Sequence, residues 1–171
     1  SPPFHAEVLR RMGFNLMSTA NNHAGDFGDA GRMETYNHLR RAGIAVAGPD
    51  KDGMRTTVIR TADGTRIGLA AFGHNPGIMW LTDIARAQTV VRELRRQSDI
   101  VIVSFHGGGE GANAVRVPRQ TEIFLNENRG DVYKFAHAVV DAGARIVFGH
   151  GPHVPRAVDV YKGAFIAYSL G

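Results

Sequence analysis

Three times in this chain an apolar run suited to a β-strand leads directly into histidine. Ala144-Arg145-Ile146-Val147-Phe148-Gly149 leads into His150-Gly151-Pro152-His153, and Asp99-Ile100-Val101-Ile102-Val103-Ser104-Phe105 into His106-Gly107-Gly108-Gly109-Glu110. Phe14-Asn15-Leu16-Met17-Ser18-Thr19-Ala20 leads into Asn21-Asn22-His23. Near-continuous apolar strands are what a sheet covered on both faces requires. In such α/β folds ligands bind at the carboxyl edge of the sheet, where these imidazoles fall. A single histidine after a strand is ordinarily a turn residue. Three such exits in one chain point to a shared site, and neutral imidazole with carboxylate or amide oxygen is a donor set for Zn, Mn or Fe. Of the eight histidines, His23, His106, His150 and His153 sit at these exits, whereas His5, His38, His74 and His137 are read as lying elsewhere, His38 and His137 as ordinary helix residues.

Between the runs the pattern alternates. Phe4 to Met12, Asp29 to Ala42 (closed by Gly43), Asp83 to Arg96 and Asp131 to Ala142 read as helices, the last two opened by aspartate caps. Short strands are expected at Phe14 to Ser18 and Ile44 to Ala47, and the two longer runs above supply further strands. Thr56 to Thr61 and Arg66 to Phe72 flank Asp63-Gly64, and Val158 to Tyr161 and Ala164 to Ser169 flank Lys162-Gly163, as hairpins. The expected fold is a layered α/β sandwich with a mixed sheet. Residues 1–171 read as a single domain, truncated at both ends.

Composition narrows the function. With 20 Lys and Arg against 16 Asp and Glu the formal charge is +4. The pairs Arg10-Arg11, Arg40-Arg41 and Arg95-Arg96 each close a helix, where cations complement the dipole. No basic stripe interleaved with aromatics marks a nucleic-acid surface, so no nucleic-acid partner is expected. The absence of cysteine excludes disulfides and thiolate metal sites. No run has the length of a transmembrane helix, and no targeting segment is read. Arg129-Gly130-Asp131 is explained by a helix start, and the Gly107 to Gly109 run lacks the Lys and Ser/Thr of a phosphate loop.

The ordered blocks Ala20-Asn21-Asn22-His23 with Asp26 and Gly28, His106-Gly107-Gly108-Gly109-Glu110, Gly149-His150-Gly151-Pro152-His153-Val154 and Tyr168-Ser169-Leu170-Gly171 resemble the bacterial capsule synthesis CapA family, associated with poly-γ-glutamate, within the calcineurin-like metallophosphoesterase superfamily. The resemblance implies a four-layer sandwich lacking its first strand or strands here, with divalent metal ions (Mn, Fe or Zn), two in the full-length protein and at most partial occupancy in this piece. It implies Asn22, His106, His150 and His153 as metal ligands, His23 as the catalytic group facing the substrate, and Asp26 and Glu110 as carboxylates orienting imidazoles. The superfamily's Asp-x-His pair occurs nowhere in the chain, which is the reason for expecting truncation and an inactive fragment. The implied activity is metal-dependent hydrolysis or transfer during envelope polymer assembly, at the extracytoplasmic face. Expected partners are an anionic polymer or phosphoester, capsule assembly proteins, and a second copy paired through an exposed sheet edge.

Two other functions compete. One is a non-catalytic envelope assembly subunit that keeps the fold. The other is a serine esterase, because His106-Gly107-Gly108-Gly109 matches an oxyanion motif and Ala167-Tyr168-Ser169-Leu170-Gly171 is one residue from G-x-S-x-G. In that fold the acid and base follow the nucleophile, and only two residues follow Ser169.

Overall fold

In the computed structural model, which describes residues 2–171, the chain forms four layers. In order they are α1 (Phe4–Arg11), β1 (Leu16–Ser18), α2 (Gly28–Arg41), β2 (Ala45–Ala47), β3 (Thr56–Arg60), β4 (Arg66–Gly73), β5 (Met79–Trp80), α3 (Ile84–Gln97), β6 (Ile100–His106), β7 (Glu122–Phe124), β8 (Glu127–Gly130), α4 (Val132–Asp141), β9 (Ile146–His150), β10 (Val158–Tyr161) and β11 (Ala164–Ala167). The main sheet runs β10-β11-β9-β6-β4-β3, with β5 beside the end of β4. Its interior pairs (β11·β9, β9·β6, β6·β4) are parallel, and the hairpin strands β3 and β10 pair antiparallel at its margins.

Strand alternation sorts the residues into layers. Val101, Val103 and Phe105 of β6 and Val147 of β9 point to one face, where they meet α3 and α4. Ala87, Val91 and Leu94 of α3, and Val132, Phe135, Ala136, Val139 and Val140 of α4, recur at helical spacing and form the matching apolar stripes. Both helices begin as expected, the carboxylates of Asp83 and Asp131 accepting from the backbone N–H of Arg86 and Lys134 at 3.1 and 2.9 Å. On the opposite face Leu69, Ala71 and Ile102 pack under Ala20 and Ala47, so the parallel pair β1–β2 forms a second sheet over one half of the first. The helices α1 and α2 cover that pair from outside through Ala6, Tyr36 and Leu39 against Ile44 and Val46.

The differences from the sequence reading are local. β5 and the β7–β8 hairpin fall where the sequence offered only loops. The hairpin turns through Leu125 and Asn126 at φ 49° and 63°, a turn of the kind that Asn-Gly usually announces. Among the described residues no helix is long and apolar enough to cross a membrane.

Candidate metal centre

The same alternation places the site. On β6 the face opposite α3 carries Ile100, Ile102, Ser104 and His106, and on β9 it carries Ile146, Phe148 and His150. His106 and His150 are register partners at the carboxyl end of two adjacent parallel strands. Gly149, just before His150 and facing the opposite side of the sheet, admits no side chain: a Cβ there would stand 2.3 Å from the Phe105 ring and 2.5 Å from the Tyr168 carbonyl oxygen. The two rings meet directly, with Nδ1 of each 2.8 Å apart. His150 Nε2 lies 3.4 Å from Ser104 Oγ.

Burial disfavours the charged form of both imidazoles. His106 is 1% exposed, and desolvation, reinforced by the neighbouring His150 and His74, pushes its pKa down to about 3. Desolvation also lowers that of His150. A neutral pair sharing one Nδ1 proton leaves one ring's Nε2 as a lone pair. His106 Nε2 is buried without any hydrogen-bond partner, and it faces Gly151, where an added Cβ would come within 3.0 Å of it. An orphaned imidazole nitrogen that burial holds against protonation fits a cation, and His106 and His150 are the residues that would hold one.

The remaining predicted residues are placed around this pair rather than in it. His153 sits in the turn after β9 at φ 55°, 62% exposed, with Nδ1 3.7 Å from Glu110 Oε2. Asn22 opens a 3-10 turn after β1, and its Oδ1 is buried without a partner. His23 is 70% exposed and its Nδ1 lies 2.9 Å from Asp26 Oδ2, while its backbone N–H donates to Asn21 Oδ1 at 2.8 Å. No hydrogen bond or ion pair among the described residues joins this turn to His106 or His150. Nor do three or more His, Asp or Glu side chains come close enough there to hold a metal ion. Of the four expected ligands, the structure joins His106 to His150 by direct contact, and Asn22 and His153 lie outside that contact.

Several residues of the site went unread in the sequence. His74, which the sequence pattern sets apart from the strand exits, directly follows β4. It is 4% exposed, tilts against the His106 ring at 5.3 Å and, through Nδ1, bonds the His106 carbonyl oxygen at 3.1 Å. The signal was present: Phe72-Gly73-His74 repeats the Phe148-Gly149-His150 tripeptide. The β7–β8 hairpin adds the rest. Arg129, 3% exposed, donates from Nη1 to Glu110 at 2.8 Å and pairs through Nη2 with Glu127 at 2.9 Å. Glu127 in turn lies 3.4 Å from His74 Nε2, so one guanidinium links the carboxylates beside His74 and His153. Arg156 grips Glu122 through both Nη atoms at 2.8 Å and donates to the Gly109 carbonyl, and Glu122 accepts from the Gly109 N–H. The glycine run is accordingly a clamped structural loop: Gly108 turns at φ 88°, and a Cβ there would meet Arg156 at 2.8 Å.

Ser169 does not stand in an esterase arrangement. It is 3% exposed, its Oγ accepts from the Gly171 N–H at 3.2 Å, and among the described residues no imidazole bonds it.

The sequence matches, over residues 1–171, the family described as bacterial capsule synthesis protein PGA_cap. The chain belongs to that family. Among relatives of the PGA_cap chain, the PGA biosynthesis protein CapA of Bacillus subtilis (strain 168) is 29% identical over 179 residues, covering 96% of this chain and 43% of its own length. The capsule biosynthesis protein CapA of Bacillus anthracis is 29% identical over 185 residues, covering 96% and 41%. The chain therefore spans less than half the length of these relatives. A crystal structure of a candidate 5'-nucleotidase from Staphylococcus aureus, in complex with alpha-ketoglutarate, superposes with a TM-score of 0.60 at 17% identity, over 95% of this chain and 33% of that one. That likeness establishes the α/β fold with its mixed central sheet as nucleotidase-like.

Proposed function

We propose that this PGA_cap domain serves poly-γ-glutamate capsule assembly as the metal-holding part of a hydrolase or transferase acting on a phosphoester or a bond of an anionic polymer. The observation that carries the reading is the His106–His150 pair, Nδ1 to Nδ1 2.8 Å apart, with His106 Nε2 buried and without a hydrogen-bond partner. A divalent cation held there supplies Lewis-acid activation of water and of the substrate's oxygen. The chain's own groups do the rest. Ser104 and the shared Nδ1 proton fix which imidazole nitrogens are lone pairs, and burial disfavours protonation of both rings. In this reading His23, exposed and oriented by Asp26, hands a proton to a leaving oxygen.

The test is metal content by elemental analysis, on this chain and on a longer version, with Mn, Zn and Fe offered in turn. His150→Ala is expected to lose bound metal. His23→Ala is expected to keep it while slowing hydrolysis of an activated phosphodiester by the longer protein on the order of a hundredfold. Metal-independent activity, or equal metal loss in both variants, overturns the scheme. A second reading, a non-catalytic assembly subunit, is favoured by one observation: no third His, Asp or Glu joins the pair among the described residues. Metal retained without turnover on any phosphoester would select it.

A further inference from the structure

The histidines occupy one edge of the sheet; the opposite, amino edge has a chemistry of its own. Arg10 closes α1, Arg40 closes α2 and Arg60 ends β3, and all three line one open cleft of 660 Å3 together with Asn15, Gly43 and Thr61. All three guanidinium side chains are exposed, and no carboxylate lies within ion-pair distance of any of them among the described residues. The polarity continues along the edge. Arg60 is the register partner of Arg66, Arg66 pairs with Asp99, and Arg95 and Arg145, exposed and also without carboxylate partners, line the next cleft beside Asp99. The acidic groups of this edge are already engaged, Asp99 by Arg66, Asp141 by Lys162 and Asp63 by Thr61 and Thr65. Helix dipoles account for arginine at the ends of α1, α2 and α3, but neither Arg60 nor Arg145 belongs to a helix.

We propose that this arginine-lined amino edge, centred on the cleft of Arg10, Arg40 and Arg60, binds an extended polycarboxylate chain of the polyglutamate type. Guanidinium forks match carboxylates two oxygens at a time, and a polymer with a carboxylate on every residue can engage successive forks along the edge. Its carboxylates need displace no resident acid. The choice of polymer rests on the capsule reading above; the cleft itself rests on the arginines. Binding here holds the polymer on the far side of the sheet from the imidazoles, as a docking surface distinct from the metal centre.

Fluorescence anisotropy with a short labelled γ-linked polyglutamate at low salt tests the proposal on this chain as it stands. Arg10→Gln/Arg40→Gln/Arg60→Gln is expected to weaken binding about tenfold or more, the sum of three exposed ion pairs, and Arg60→Gln alone to weaken it measurably. A charge-matched control, Arg92→Gln/Arg116→Gln/Lys134→Gln, should change it less than about twofold. The weakening caused by the arginine triple variant should be the same with and without chelator, so failure of the metal reading and failure of this one are separable. Equal weakening by both triple variants, or no binding to the unaltered chain, overturns the proposal. Cleft-dependent binding of a single-stranded oligonucleotide in preference to the polyglutamate of equal charge overturns the choice of polymer.

Discussion

His106 shows how a single residue ties stability to the site. Its folded pKa of about 3 lies below the ordinary 6.5 because burial penalises the charged ring. Above pH 6.5 the ring is neutral in both folded and unfolded chains and contributes no pH dependence. As the pH falls below 6.5 the unfolded chain takes up a proton that the folded ring refuses, so stability declines down to about pH 3 by up to about 1.4 kcal/mol per pH unit. Urea titrations at stepped pH should show a steeper acid loss for the wild type than for His106→Gln; parallel curves would mean that the ring is protonated in the folded state. Gly151 is the second single-residue lever. At φ 116° it adopts a conformation that side chains disfavour, and a methyl group would press to 3.0 Å of His106 Nε2. Gly151→Ala is expected to cost about 1–2 kcal/mol and to reduce metal uptake, read by thermal melting and elemental analysis together. Unchanged metal uptake would mean that a cation approaches from elsewhere.

At the scale of elements, the β7–β8 hairpin decides whether the strand exits form a site at all. Its Glu122 and Glu127–Arg129 reach back to the glycine loop, His74 and Glu110, and Arg156 locks the loop from the other side with a side chain that is 0% exposed. Arg156→Met would strand Glu122, itself 10% exposed, without its partner; we expect a loss of about 3–5 kcal/mol by urea denaturation. Replacing both residues, Arg156→Met with Glu122→Leu, should recover much of it, and failure to recover would locate the loss in the Gly109 contacts instead. This hairpin is also where sequence reading ran out. α3 and α4 were legible because an aspartate cap precedes a helical apolar stripe in each, and β6 and β9 because their apolar runs end on histidine. The hairpin strands are short, polar and joined by Leu125-Asn126, so neither alternation nor turn chemistry distinguishes them from loop; tertiary ion pairs hold them. His74 is hidden for a different reason: β4 reads as the second strand of a hairpin, a pattern that marks its turn and not its exit.

The molecule as a whole is two-faced in charge and uneven in cover. Arginines without carboxylate partners gather at the amino edge, while Glu110, Glu122 and Glu127 crowd the histidine edge in ion pairs with buried arginines. The helices α3 and α4 cover one face of the main sheet throughout, but β1–β2 shields the other only over the β3–β4–β6 half. Alternation then leaves the corresponding residues of the outer strands facing solvent: Val158 and Val160 of β10 are 61% and 71% exposed, and Phe165 of β11 is 45% exposed. β10 is moreover the outermost strand of its sheet, so an apolar patch and an edge coincide. We therefore expect concentration-dependent self-association in sedimentation velocity, with the patch as the contact. Val158→Thr/Val160→Thr should suppress it while leaving the melting temperature nearly unchanged, because both side chains are already in water and surface substitutions shift stability by only about 0.5 kcal/mol. A wild-type chain that stays monomeric at every concentration would show that the patch, for all its exposure, is too small to drive association; association that survives the substitutions would move the contact elsewhere, to the free edge of β1.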